Sequence, residues 1–491
     1  MISKFKLYIG KFIDMNNPIV SKLFSGMAWN ITGTILSKAL LMVSSIIIAR
    51  ILGADKNGEY SIINSTVIMF STFAGLGLGT TATRFVAEYK DKDKEKCGRI
   101  IGLTNSFGII SGLIMAIILY VLSPFLATEQ LNAPHLSFGL RLASIMLLTN
   151  TVNTIQISIL SGFERFKSIA RLSIIQGIVS VPILIAFTYF LDVNGLLLGN
   201  IAISIFMLII YAIENDRIKK SYKIEMDIIG ARKEFGIIWR FSIPSLLSNV
   251  MVGPVMWLGN TFITAIPNGY TQLGVFNASN QWRTVLTFIP TAVGNVILPM
   301  IVNNKNNHRL ERFNILFGWI IVICIAIPLI AAPELVGMLY GTGYKGDSFN
   351  ISFILVILTC CILSYREGIA RKLISNNLMW WGFLDNTIWG IIFLSVLYLG
   401  RNLGAVGISA AYSVAYIFNT LIFIPFYIKR GVVHRSLIIS KEIILMWTSL
   451  LFQIATTAFI EYYLLRLLAA AFSLFSLYNL LKVMMAKQDL I

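Results

Sequence analysis

Apolar stretches near 20 residues recur along this chain from Trp29 to Val483, separated by short polar or charged intervals. At 1.5 Å per residue such a run crosses the roughly 30 Å hydrocarbon core of a bilayer, whereas helices of soluble proteins alternate apolar and polar faces. The pattern predicts spans over 28–49, 60–82, 100–123, 137–160, 171–190, 195–213, 241–265, 273–301, 313–331, 350–365, 378–399, 404–427, 438–459 and 464–483. The expected fold class is an all-α polytopic membrane protein with about 14 transmembrane helices. The interval before the last span is very short, which leaves a 13-helix or re-entrant arrangement open. Pro182, Pro244, Pro254, Pro290, Pro299, Pro328 and Pro425 fall within these spans and are expected to bend them.

Composition narrows the class. Of 491 residues, 56% are hydrophobic and only 13% charged, too little polar material to cover the surface of soluble domains. A soluble enzyme, a nucleic-acid binder and a secreted disulfide module are all poor fits. Cys97, Cys324, Cys360 and Cys361 have no metal-ligand spacing and read as free thiols in apolar packing. Gly75, Gly77 and Gly79 resemble part of a nucleotide-binding fingerprint but lie in an apolar helix, where close packing or bending is the simpler reading. Neither a catalytic constellation nor a bound cofactor is expected.

The net charge of +17 matters through its placement. With the N-terminus inside, 32 basic residues fall on cytoplasmic segments, while only Arg50, Lys56, Lys345 and Arg401 fall outside. Cytoplasmic loops retain Lys and Arg, so both termini are expected in the cytoplasm. Residues 1–27 carry Lys4, Lys6 and Lys11 among Ile2, Phe5, Ile9 and Phe12, suggesting an amphipathic interfacial helix, with a disordered basic tail as the alternative. The basic inner loops lack an aromatic nucleic-acid module and serve as topology signals.

A weak internal repeat organises the spans. "ARILGADKNGEYSIIN" after the first span parallels "TAIPNGYTQLGVFNASN" after the seventh, and "NGLLLGNIAIS" in the sixth parallels "LGAVGISAAYS" in the twelfth. Six helices per copy preserve sidedness, which predicts two six-helix lobes related by a pseudo-two-fold axis along the membrane normal. The expected boundaries are an N-lobe over 28–213, a basic linker over 214–240, a C-lobe over 241–427 and an appended helix pair over 438–483.

"ARILGADKNGEY" (Ala49–Tyr60) and "GLGLGTTATRFVAEY" (Gly75–Tyr89) resemble the opening signature of bacterial polysaccharide-biosynthesis exporters. These are the O-antigen-type oligosaccharide flippases of the multidrug/oligosaccharidyl-lipid/polysaccharide exporter superfamily. "LSGFERFKSIARLSI" (Leu160–Ile174) and "LVGMLYGTGY" (Leu335–Tyr344) resemble two further segments of the family. The resemblance implies a V-shaped, alternating-access transporter of the cytoplasmic membrane, with spans 1, 2, 7 and 8 lining a central cavity. It also implies an undecaprenyl-pyrophosphate-linked oligosaccharide as substrate, carried from the inner to the outer leaflet. The implied partners are this polyprenyl-pyrophosphate-linked glycan, membrane lipids, and a polysaccharide polymerase and glycosyltransferases of the same pathway.

The residues supply their own test, because a pyrophosphate needs a wet, cationic interior. Lys38 sits near the middle of span 1, about 15 Å from either end, which is far for an ammonium to snorkel. Asn30, Thr34 and Lys38 share one helical face. On span 8, Asn277, Asn280, Gln281, Arg283 and Thr287 form a polar side, and Arg283 offers the fixed donor fork that suits phosphate oxygens. Lys38, Arg283, Asn280, Gln281, Asn30 and Thr34 are therefore the candidate substrate-binding residues, with helix–helix hydrogen bonding as the rival role for the amides. Asp385 in span 11 could couple transport to H⁺ or Na⁺, or simply pair with a basic residue. Arg84 is a candidate gate and could instead pair with Glu88, four residues on. A multidrug or small-molecule cation extruder is the alternative within this architecture, and a membrane scaffold or polymerase the alternative outside it.

Overall fold

The computed structural model describes residues 18–243, 246, 250–303, 308–375 and 379–486, with side chains from residue 33 onward except at 289, 293, 295–303, 308–310, 374–375, 379–380 and 483–486. Regular structure is entirely helical among the described residues. The longer elements are α1 (Pro18–Gly75), α2 (Leu78–Tyr89), α3 (Lys94–Phe125), α4 (Ser137–Gly162) and α5 (Phe166–Tyr222). They continue with α6 (Val252–Thr264), α7 (Gly269–Asn303), α8 (His308–Ala331), the short α9 (Pro333–Tyr340), α10 (Asp347–Ser375), α11 (Met379–Gly400) and α12 (Ala405–Lys429). A last pair is α13 (Lys441–Phe459) and α14 (Tyr463–Ala486). Ten segments of the described chain are long and apolar enough to cross a membrane.

Two of those segments reverse inside. In α1 the chain turns at Gly53 (φ 72°, ψ 175°), a conformation that a Cβ would strain. In α5 it turns at Asp192 (φ 53°, ψ −135°), whose carboxylate meets Lys56 Nζ at 2.7 Å. Each leg exceeds 20 residues, enough for one crossing at 1.5 Å per residue. The second leg of α1 breaks again at Leu76 and Gly77, and a Cβ on Gly77 would strike the carbonyl of Ser242, so this glycine both bends and packs closely.

Packing falls into two groups. α1 lies against α5, α4 against α3 and α5, and α2 against α4, while α10 packs on α7, α8 and α12, and α11 on α12. α1 bridges the groups through α7 and α6, and α14 rests on α13 and α8. Outward surfaces are apolar, as lipid contact requires: Phe190 is 78% exposed and Leu399 84%.

Several boundaries differ from the sequence reading. Helix α1 already begins at Pro18, so the end of the expected N-terminal segment is continuous with the first span; residues 1–17 lie outside the described ones. The seventh span is interrupted by a turn at 250–251, and Pro244 lies outside the described residues, as does the side chain of Pro299. The basic linker begins as the end of α5 and then packs on α3, with Asp227 N donating to Gly98 O and Arg99 Nε donating to Glu234 Oε1 at 3.0 Å. Helix α10 runs ten residues beyond the expected span end, carrying Arg366, Arg371 and Lys372 on a helix instead of a loop. The reason is pairing: Arg366 meets Asp385, Arg371 Nε donates to Asn314 Oδ1 at 2.7 Å, and Lys372 Nζ lies 3.6 Å from Glu311. Polar partners from neighbouring helices make these buried cations tolerable.

Candidate functional site

Both legs of α1, with α6 and α7, enclose a cavity of about 730 Å³, completed by Leu184, Leu196 and Asn200 of α5 and Tyr412 and Tyr416 of α12. The sites of Lys38 and Arg283 are remote in sequence, yet both side chains line this one cavity. The chain folds this way because the polar stripes of α1 and α7 face each other. Ser45 Oγ of α1 donates to Gln281 Oε1 of α7 at 2.6 Å, and Asn57 Nδ2 donates to Gly274 O at 3.3 Å. Trp257 Nε1 of α6 donates to Thr66 Oγ1 at 2.9 Å and holds the third wall.

The electrostatics are one-sided. Among the described residues no Asp or Glu lines the cavity, so Lys38 and Arg283 form an uncompensated pair of cations there. Lys38 is half-buried and has no ion pair or hydrogen bond among the described residues. Arg283 Nε donates to Asn280 Oδ1 at 2.7 Å, and its guanidinium lies 5.5 Å from the ring centroid of Tyr412. Its terminal nitrogens have no hydrogen-bond partner among the described residues, and the side chain lines the cavity. Uncompensated charge at this depth is expensive and is retained where water or an anionic ligand replaces the missing counter-charge.

The cavity is pinched at both ends. At the end near Gly53, the second leg of α1 crosses α7 so closely that a Cβ on Gly58 would strike Tyr270 O, and one on Gly274 would strike Ala54 O. Tyr270 donates from its hydroxyl to Leu131 O at 2.8 Å, and Tyr344 to Ala49 O at 3.4 Å, so the Leu335–Tyr344 segment folds over the same end. At the opposite end, Thr81 Oγ1 and Ser242 Oγ are 2.7 Å apart, and Phe85 meets Phe241 edge-on at 5.4 Å.

The other candidate positions separate. Asn280 and Gln281 line the cavity with Arg283, whereas Thr34 does not, and the side chain of Asn30 lies outside the described residues. Arg84 sits at the Thr81–Ser242 pinch, 4.6 Å over the ring of Phe241, and does not pair with Glu88. Aromatic contact replaces the expected i,i+4 ion pair because Phe241 is brought to Arg84 by the close approach at Gly77. Asp385 is buried away from the cavity and paired with Arg366, whose Nη1 donates to Thr420 Oγ1 at 3.0 Å. Sequence reasoning missed Asn64, Asn200, Tyr412 and Tyr416 among the lining residues. Asn200 and Tyr412 stand in the two repeated segments, which was the available signal.

A polysaccharide biosynthesis protein family model matches residues 23–305, more than half of the chain. The chain is similar to the EPS I polysaccharide export inner membrane protein EpsE of Ralstonia solanacearum, 21% identical over 426 residues, 82% of this chain and 94% of that protein. Among solved structures it resembles the lipid II flippase MurJ in an inward closed conformation, with TM-score 0.70 and 17% identity over 94% of this chain and 98% of that one. It also resembles a point mutant of the Vibrio cholerae MATE transporter VcmN, with TM-score 0.62 and 13% identity over 84% and 99% of the two chains. The resemblance carried by Ala49–Tyr60, Gly75–Tyr89 and Leu160–Ile174 falls within the matched region, and that of Leu335–Tyr344 falls beyond it. These likenesses agree with a multi-pass helical membrane protein of the transporter kind.

Proposed function

The chain belongs to the polysaccharide biosynthesis protein family, and from that membership we propose that it is a flippase for an undecaprenyl-pyrophosphate-linked oligosaccharide, moving it from the inner to the outer leaflet of the cytoplasmic membrane. The observation that carries this reading is the cavity holding Lys38 and Arg283 with no carboxylate among the described residues of its walls. Two cations lining one space, one with its terminal guanidinium donors unpaired among the described residues, match a diphosphate better than any cationic cargo. Asn280 orients Arg283, and Gln281 is engaged by Ser45, so these amides position the cationic site from α7. A small-molecule cation extruder would place its own charge against Lys38 and Arg283 with nothing to offset the repulsion.

In this reading the reversals at Gly53 and Asp192 divide α1 and α5 into two crossings each, giving 14 spans in all. Two six-helix lobes, 28–213 and 241–427, rock about the cavity, with 214–240 as linker, 438–483 as the appended pair, and both termini cytoplasmic. The outer pinch at Gly58–Gly274 and the inner pinch at Thr81–Ser242 open in turn. Transport is of the secondary type. Any H⁺ or Na⁺ coupling through Asp385 requires release of Arg366, and Arg84 acts at the inner pinch. A polymerase and glycosyltransferases of the same pathway would consume and supply the substrate.

The test is leaflet-resolved translocation of lipid-linked glycans in reconstituted vesicles. Acceleration over protein-free vesicles is expected, and its absence for every polyprenyl-pyrophosphate glycan tried would remove the proposal.

A further inference from the structure

A second cavity, of about 650 Å³, opens inside the first half of the chain between α1, α4 and α5. Leu41, Asn64, Ile68, Thr72, Leu184 and Asn200 line both cavities, so the two adjoin across these residues. Their chemistry differs sharply. Among the described residues the walls of the second cavity carry no charge and are rich in side-chain amides and hydroxyls. Asn64, Asn150 and Gln176 make no side-chain hydrogen bond among the described residues, although each lines it. Asn153 is 9% exposed; its Nδ2 donates to Ser204 O at 2.8 Å, while its Oδ1 is buried without a partner. Buried polar atoms are seldom left unpaired, and a row of amides with free donors and acceptors faces a ligand or water that answers both.

The second half of the chain is filled at the side of the cationic cavity. There Trp389 lies 5.2 Å from Tyr416 and Phe393 lies 5.2 Å from Tyr412, ring centroid to ring centroid. The open, neutral space therefore lies on the α5 side, adjoining the cavity that holds the cations. Its volume is within the range of about 300–1,000 Å³ usual for small-molecule pockets.

We propose that this chamber is a sugar subsite, taking the uncharged monosaccharide units next to a diphosphate held by Lys38 and Arg283. The inference rests on the flippase reading and deepens it. Sugar hydroxyls both donate and accept, which is what Asn64, Asn150, Asn153 and Gln176 offer, whereas an acyl chain would leave all four unsatisfied. The absence of charge favours neutral sugars over uronic acids at these positions.

The experiment measures binding to full-length protein in nanodiscs, using undecaprenyl pyrophosphate and its derivatives bearing a neutral N-acetylhexosamine disaccharide, a neutral hexose disaccharide or a uronic-acid disaccharide. Wild type should bind at least one neutral-sugar lipid roughly tenfold more tightly than the bare lipid. Asn150→Leu and Gln176→Leu should each lose most of that gain while binding the bare lipid as wild type does. Asn150→Gln, which keeps an amide, should retain part of it. If one leucine variant fails to give monodisperse protein, the other carries the test. Equal binding of bare and all sugar-bearing lipids by wild type, or a sugar gain untouched in the leucine variants, overturns the chamber alone. A loss of bare-lipid affinity in those variants also overturns it, by making the residues structural supports of the cationic site. Failure of wild type to bind any of the lipids removes the flippase reading itself.

Discussion

A methyl group at Gly58 should prop the outer pinch open. Built onto the backbone, its Cβ lies 2.6 Å from the carbonyl carbon of Tyr270, where ordinary contact begins near 3.4 Å. Nothing near it is a flexible side-chain end; the obstacles are the Tyr270 carbonyl and the Gly274 amide nitrogen. The carbonyl oxygen of Tyr270 is nearer still, so the two helices must part by more than about 0.8 Å, and the Asn57–Gly274 hydrogen bond stretches with them. Overpacking of this kind costs about 1–3 kcal/mol, borne only by the state in which the helices touch. An equilibrium between outer-closed and outer-open states would shift toward the open one by roughly 5- to 150-fold. The assay is labelling of Asn277→Cys, on the cavity wall, by an impermeant thiol reagent in intact cells, in a background lacking the four native cysteines. Labelling should rise in Gly58→Ala and in Gly274→Ala relative to the parent. Unchanged labelling in both variants, with both folded in the membrane, would refute the reasoning that this crossing closes the outer side.

The remaining predictions concern charge and sidedness. Asp385→Asn leaves the Arg366 guanidinium buried beside Tyr416 without its counter-charge, a loss of about 3–5 kcal/mol, so thermal stability in detergent should fall. Adding Arg366→Met should restore much of it, and failure of the double variant to recover would show that Asp385 acts elsewhere. Normal responses of Asp385→Asn to imposed H⁺ and Na⁺ gradients would remove it from any coupling role. Single cysteines at Ser221 and Asn306 should resist impermeant reagents added outside intact cells; labelling of either from outside would overturn the proposed orientation.

Period and hydropathy made the helices legible, since a membrane leaves the backbone few other ways to satisfy itself. They could not locate helix ends where charges find partners inside the protein. Arg366, Arg371 and Lys372 look like a loop in sequence because their partners, Asp385, Asn314 and Glu311, come from other helices. Lys38 and Arg283 stood out because deep cations are costly wherever they occur, and the fold brings them to one cavity. The neutral chamber gave no such signal. Asn64, Asn150 and Gln176 are individually ordinary in a helix, where amides often join neighbouring helices. Only their shared orientation into one space, unpaired among the described residues, distinguishes them.

The measurement that bears most directly on the account is binding of undecaprenyl pyrophosphate against undecaprenol by monodisperse wild type, Lys38→Ala, Lys38→Arg and Arg283→Ala. A charge-assisted hydrogen bond to phosphate is worth about 1.5–3 kcal/mol, so each alanine variant should lose roughly 10- to 150-fold in affinity for the diphosphate. Undecaprenol, lacking the anionic head, should bind all four proteins alike, and Lys38→Arg should fall between wild type and Lys38→Ala. Equal discrimination between the two lipids by all four proteins would contradict the central claim that Lys38 and Arg283 hold the diphosphate.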